Sequence, residues 1–315
     1  MKIFKYVALF LSGIFFVSSV FAESALEKKA VLVTGASSGI GLRIAETLEK
    51  NGYYVYAGAR KEDDLRRLDA IDNISSVKLD VTNQEDIESA VSFVKNQGRG
   101  LWGIVNNAGV GKIAKLAGDP VDEARFTFEV NVFGPMRINS AFLPFFAGKG
   151  GRTTTIGSIN GFAAAPGDGG YSASKFAMEG YTDSLAAEMA GSSVYVSIVE
   201  PGQYKSKIRG KRLAQMLAAA EAGSLKMDAK QRAEMIRTNG GNKGLKEPDE
   251  VAAAVLHIMS SDRPKRRYLV TPNKEQAHWT IGAALKRLLE LNEDQPYSYT
   301  RDQLVEFLDQ MMSES

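Results

Sequence analysis

Cysteine is absent from this sequence, which removes disulfides, thiolate metal sites and thiol nucleophiles together. Histidine is scarce: His257 and His278 are the only two, too little for a histidine-based metal cluster or a Ser-His-Asp triad. Neither sign of charge is in excess. With 39 Lys and Arg against 37 Asp and Glu, the net charge of +2 creates no overall field toward nucleic acid or an anionic membrane. Internal repeats and low-complexity tracts are also missing. What is plentiful is apolar material, 44% of 315 residues, enough for the core of one large α/β domain or two small ones.

Composition shifts only at the start. Lys2 and Lys5 precede an apolar run from Tyr6 to Phe21, ending in Val20-Phe21-Ala22. A positive end, an apolar centre and a small residue at the cleavage position are the layout of a signal peptide, so residues 1–22 are set apart from the fold. The alternative is an uncleaved membrane anchor, since the run approaches the roughly 17 residues needed to cross a bilayer. Cleavage is the favoured reading. Either way the lysines stay cytoplasmic and the body is exported, to the periplasm of a bacterium or the endoplasmic reticulum of a eukaryote.

Past this segment, β-type runs alternate with helical stretches, a rhythm that predicts a doubly wound parallel sheet with helices on both faces. The first run, 30–33, passes into Thr34-Gly35-Ala36-Ser37-Ser38-Gly39-Ile40-Gly41 and then a helix to about residue 50. Glycines let the backbone turn tightly and approach a phosphate, and the helix N-terminus offers free N–H groups and a positive dipole end. The second strand, 54–59, is followed by Arg60. In dinucleotide folds an acid at this place binds the ribose 2′-OH and an Arg accommodates a 2′-phosphate, so Arg60 favours NADP over NAD. Further strands are expected at 77–81, with Asp80 at the C-terminal end, and at 101–105, leading into Asn106-Asn107-Ala108-Gly109. A long helix over 121–146 carries Asn131 in an apolar setting, either as a satisfied core amide or as a functional group.

Tyr171 and Lys175 are four residues apart in a helix-forming stretch, which places both on one face, one turn apart. An ammonium there favours phenolate over phenol, lowering a pKa that is ordinarily about 10. Ser158 ends a strand expected at 153–158, 13 residues earlier, so strand end and helix start can face each other across the sheet crevice. Alone, each of these residues is as well explained by a surface or loop position. After a strand at 194–199 and Glu200-Pro201-Gly202, residues 203–245 break the rhythm with a basic, Met-containing segment. It reads equally as a lid over a cleft, with Met216, Met227 and Met235 as adaptable apolar contacts, or as ordinary helix packing. Two more helices are expected in 274–312, covering the cleft or making an oligomer contact.

Taken together, Thr34-Gly35-x-x-x-Gly39-x-Gly41, Asn106-Asn107-Ala108-Gly109, Asn131, Ser158, Tyr171-x-x-x-Lys175 and Pro201-Gly202 resemble the short-chain dehydrogenase/reductase family in order and spacing. The resemblance implies a single Rossmann-type catalytic domain over 28–272, with 203–245 as lid and 273–315 as a helical extension. It implies a carbonyl–alcohol oxidoreductase in which Tyr171 is the general acid/base, Lys175 tunes it and binds the nicotinamide ribose, Ser158 holds the substrate oxygen, and Asn131 positions a relay water. Gly35, Ser37, Gly39, Ile40, Gly41, Arg60, Asp80, Asn107, Ala108, Gly109, Pro201, Gly202 and Ser206 become cofactor contacts, beside Tyr171 and Lys175. Ser37 and Arg60 would meet the 2′-phosphate of NADP(H), Asp80 the adenine, and Ser206 the carboxamide, where many members carry Thr. The family often has a basic residue where this chain has Ser38, so NADP(H) is favoured over NAD(H) without closing the choice. A lipophilic small-molecule carbonyl, no nucleic acid, membrane association through the N-terminal segment, and a homodimer or homotetramer complete the expectation. A non-catalytic NADP(H)-binding protein on the same scaffold is the alternative. The intact Ser158, Tyr171 and Lys175 set speaks against it.

Overall fold

Within β1 (Ala30–Val33), Val31 and Val33 join one apolar cluster while Ala30 and Leu32 join another, the period-two alternation that a strand buried on both faces must show. A computed structural model describes residues 28–111, 121–164, 168–223, 226–237 and 243–314. The N-terminal segment 1–22 lies outside the described residues.

The chain continues through α1 (Gly39–Lys50), β2 (Tyr54–Ala59), α2 (Glu62–Asp69), β3 (Ile74–Lys78), α3 (Gln84–Asn96), β4 (Gly103–Asn106) and α4 (Val121–Phe128). A π-helical turn, Glu129–Phe133, joins α4 to α5 (Gly134–Phe142). Then follow β5 (Gly151–Ile156), α6 (Gly169–Glu188), β6 (Val194–Pro201), α7 (Lys207–Glu221), α8 (Ala229–Arg237), α9 (Asp249–Ser260), β7 (Arg267–Val270), α10 (Lys274–Asn292) and α11 (Arg301–Ser313).

All strands pair in parallel in one seven-stranded sheet of order β3-β2-β1-β4-β5-β6-β7. This is the doubly wound fold that the alternation predicts. One face is covered by α1, α2 and α9, through Ile44, Leu48, Leu68, Val251 and Val255. The other is covered by α3 and α5, through Ile87, Val94, Ile138 and Phe142, with α6 adding Met178 against Ile198. Because β1 pairs with β2 on one side and β4 on the other, chain direction across the sheet reverses there, and a crevice opens beyond the C-terminal ends of these strands.

Several boundaries differ from the sequence expectation. The third strand starts earlier, after the turn at Asn73 (φ 57°), and ends at Lys78, so Asp80 sits in the following turn. Ser75 and Ser76 look unlike a buried strand, but β3 is the sheet edge, where Ser76 instead hydrogen-bonds Asp69. The helix expected over 121–146 is interrupted: Asn131 occupies the π turn, a local widening that re-aims side chains and recurs at functional sites. β5 stops at Ile156; Gly157 still donates to the Val199 carbonyl at 2.7 Å, and Ser158 is the residue whose N–H leaves the ladder, for the Glu200 side chain. In the 203–245 segment, α7 and α8 are helical and pack together, with Met216 and Met227 half-buried. Residues 224–225 and 238–242 and the Met235 side chain lie outside the described residues.

The carboxyl-terminal helices are different in character. No side chain of α11 is buried, and Leu285, Leu289, Phe307, Leu308 and Met312 are exposed along α10 and α11. Among the described residues no helix is long and apolar enough to cross a membrane.

Phe142 is fully buried behind the π turn and stacks on Phe145 at 5.8 Å. Phe142→Ala is expected to lower stability by about 3–5 kcal/mol through lost burial and the cavity left behind, measurable as a drop in the urea midpoint.

Candidate active site

The glycine loop is shaped by contacts that only glycine permits. Gly35 has φ 65°, and a Cβ there would lie 2.8 Å from the Ala108 Cα. A Cβ at Gly41 would collide with the Asn107 amide and stand 2.5 Å from the Gly35 carbonyl oxygen. Asn107 explains the crowding: its Nδ2 donates to the carbonyls of Thr34 (2.9 Å) and Gly35 (3.1 Å). Thr34 Oγ1 in turn accepts the backbone N–H groups of Asn107 and Ala108, both at 3.0 Å. The ends of β1 and β4 are thereby laced into one surface, and the loop's backbone is drawn clear of the sheet. Ser38 stands extended before α1 with no side-chain cap, leaving that end of the helix directed at the crevice.

Beyond the end of β2, Arg60 Nη1 and Asp80 Oδ2 form an ion pair at 3.1 Å. Burial acts to raise the Asp80 pKa, but hydrogen bonds from the Thr82 N–H and hydroxyl, with Arg60, outweigh it and hold the carboxyl below its ordinary range. Arg67, from α2, donates to the Ser37 carbonyl at 2.7 Å and steadies the loop from outside.

At the other end of the crevice, Tyr171 lies in the first turn of α6 and is half-buried, with the Lys175 ammonium 5.6 Å from its ring centroid. Lys175 is 7% exposed and donates to the Ile156 carbonyl at 2.8 Å, at the very end of β5. Burial lowers its pKa to about 8, opposed by the neighbouring acids Glu200 and Glu179. Ser158 is buried and extended, and its Oγ accepts the Asn160 N–H at 3.1 Å, a bond that leaves the hydroxyl proton for another acceptor.

Every residue expected at the cofactor or reaction centre lines one cleft of about 320 Å³, with the exception of Asn131. That residue stands behind the cleft. Its Nδ2 donates to Val110 O (2.9 Å) and Ser174 Oγ (3.0 Å), and its Oδ1 accepts Val110 N–H (2.8 Å), so the side chain braces the segment after Gly109 against α6. Beside the cleft, a wider depression of about 730 Å³ is bordered by Lys205, Lys207, Lys211, Arg237 and Lys243, with Glu247 the opposing charge.

Sequence reasoning missed Glu200 as a site residue. It is fully buried at the end of β6, and its Oε2 accepts the Ser158 N–H at 2.6 Å. A Cβ on Gly157 would collide with this carboxyl group, so Gly157 is obligatory for the arrangement. The available signal was an acid in the apolar run Val194–Pro201, where nothing but a partnered role keeps a carboxyl inside a sheet.

The sequence matches the short chain dehydrogenase family over residues 29–217, more than half of the chain. This protein is a short-chain dehydrogenase/reductase. Among dehydrogenase/reductase relatives, it is 31% identical to the uncharacterized oxidoreductase YbbO of Escherichia coli over 265 residues, covering 83% of this chain and 91% of that protein. It is 37% identical to the mitochondrial D-beta-hydroxybutyrate dehydrogenase of Rattus norvegicus over 186 residues, 56% of this chain and 54% of the relative. A solved short-chain dehydrogenase from Burkholderia cenocepacia, in complex with NADP, is 25% identical with a TM-score of 0.63, covering 85% of this chain and 98% of that one. The family identifies the chain as an oxidoreductase using a dinucleotide and a small-molecule substrate. The residues fit such a group: glycines that let the loop backbone pack closely on Asn107 and Ala108, an open helix start, and polar groups along the cleft.

Gly41→Ala is expected to weaken NADPH binding about tenfold or more, because the loop must open to admit the methyl group; fluorescence titration of NADPH measures it.

Proposed function

We propose that this dehydrogenase/reductase interconverts a lipophilic ketone or aldehyde and its alcohol, with NADP(H) preferred and Tyr171 as the proton donor and acceptor. The observation carrying this is the convergence of Ser158, Tyr171 and Lys175 at one end of a single cleft whose other end is the glycine loop. A nicotinamide dinucleotide, when bound, gives or takes the hydride. The protein's part is to hold the substrate oxygen and move one proton. Ser158 Oγ–H donates to the substrate oxygen and fixes it near the phenol. Tyr171 O–H gives its proton as charge develops on that oxygen, or removes it from the alcohol in reverse. Lys175, buried beneath the tyrosine ring, provides the positive charge that makes phenolate accessible and a donor for the nicotinamide ribose. Asn131 keeps Val110 and α6 in register, supporting the proton path behind Lys175.

Preference for NADP(H) is supported by Ser37 in the loop after β1, by Arg60 just past β2, and by the cations of the neighbouring depression. Phosphate approaching Arg60 competes with Asp80 for the guanidinium, and Asp80 retains its Thr82 hydrogen bonds when that pairing is relaxed. The substrate side is served by α7 and α8 as a lid. The exposed apolar stripes of α10 and α11 support assembly into a dimer or tetramer. Residues 1–22 export the body and are removed.

Tyr171→Phe should lower turnover of NADPH with a panel of apolar ketones and aldehydes by roughly a hundredfold or more, within the usual range for general acid–base groups, while NADPH binding changes little. Turnover unchanged in this variant refutes the assignment. Arg60→Ala should raise the NADPH dissociation constant while leaving that of NADH nearly constant; an equal effect on both removes Arg60 from phosphate recognition.

A further inference from the structure

Glu200 is 1% exposed, and it is the one acid among the fully buried residues described. Its Oε2 is occupied by the Ser158 N–H. Its Oε1 is buried with no protein N–H within reach, and so is Oε1 of Glu179, one helical turn after Lys175 on α6. The Glu179 carboxyl is close enough to act on Glu200 directly, and neither Oε1 finds another partner. Carboxylates only accept, so two of them face to face are a repulsion unless a proton lies between.

The surrounding charges decide how many protons are present. Glu179 Oε2 accepts Arg267 Nε–H at 2.7 Å, and Arg267 Nη2 continues to Asp183 at 2.7 Å. The half-exposed Arg266 touches Asp183 from the rim at 3.5 Å. In the buried part of the line, Lys175 is matched by Glu179, which is 12% exposed, while Arg267, Asp183 and Arg266 extend to the solvated rim. An ionised Glu200 would add an unmatched negative charge at its most buried point, whereas a neutral one leaves the line balanced.

We propose that Glu200 is a carboxylic acid at neutral pH, donating Oε1–H to Glu179 Oε1, and that this shared proton makes it a positioning residue for Ser158 and Lys175. Each oxygen then has its partner: Ser158 N–H on Glu200 Oε2, the Glu200 proton on Glu179 Oε1, and Arg267 on Glu179 Oε2. The line ties the end of β5 to α6 and β7 through β6. Burial, with Glu179 beside it, pushes the Glu200 carboxyl well above the ordinary range, against the Ser158 N–H and the Lys175 charge. The positioning role rests on the proposed reading of Ser158 and Lys175; the proton does not.

A folded-state pKa raised above the unfolded value gives stability that is complete below about pH 4.3 and is lost as pH rises toward the folded value. Urea unfolding of the wild type and Glu200→Gln from about pH 6 to pH 8 isolates this contribution, because the Gln amide keeps both hydrogen bonds and has no proton to release. The ratio of their folding constants should move about tenfold per pH unit in favour of the variant, the response to one proton. A pH-independent ratio overturns the proposal. Infrared spectroscopy of the wild type at about pH 8 provides a check that needs no variant: a carbonyl stretch of a protonated carboxyl supports the shared proton, and its absence overturns it. For the positioning role, kcat should fall about tenfold or more in Glu200→Ala and recover in Glu200→Gln. Equal losses in both variants overturn that role while leaving the unfolding and infrared results to decide the proton.

Discussion

A buried ammonium organises this molecule. Lys175 has been taken out of water and given the Ile156 carbonyl as its direct partner, with Glu179 as the acid whose charge acts on it. Burying an unpaired cation is prohibitively unfavourable, so its surroundings must supply both hydrogen bonds and charge. That requirement ties the start of α6 to the end of β5, and the proposed proton lets an acid stand, neutral, at the end of the apolar β6. It also fixes the glycine preceding Ser158, since a side chain there would occupy the space of the Glu200 carboxyl. Tyr171 and Ser158 are thus oriented by a common anchor on opposite sides of the crevice.

The cofactor end obeys a different constraint, the close approach of two backbones. Thr34 and Asn107 use side-chain groups to satisfy the backbone at the ends of β1 and β4, where the reversal of strand order leaves ladder groups without a strand to pair with. Glycines are needed opposite Asn107 because its amide occupies the volume that side chains would take. Rigid lacing at one end and a charge-balanced polar line at the other give a cleft with two fixed ends. Lys207, Ile208 and Lys211 of α7 line the cleft, and neither α7 nor α8 has a buried side chain among the described residues.

Local chemistry made much of this legible from residues alone. The alternation of strands and helices is carried by short-range patterns, and the glycine loop, Asn107, Ser158, Tyr171 and Lys175 all line one cleft. Three features were not legible, for physical reasons. The π turn at Asn131 follows from how α4 and α5 must dock, and Glu129–Phe133 has no composition of its own to announce it. β3 extends through Ser75 and Ser76 because a sheet edge tolerates hydroxyls that a central strand would exclude. Glu179, Glu200 and Arg267 meet from three elements far apart in sequence, so each looks like an ordinary charged residue until the fold brings them together. Asn131 was recognised as unusual, but its side chain faces Val110 and Ser174 and lies behind the cleft.

The central claim is that the Lys175 charge sets the protonation of the reaction centre. The pH dependence of alcohol oxidation at saturating NADP, compared between wild type and Lys175→Met, tests it most directly. The account predicts that the ascending limb moves to higher pH in the variant, because a phenol without the ammonium beneath it gives up its proton less readily. Superimposable limbs, differing only in height, would contradict it.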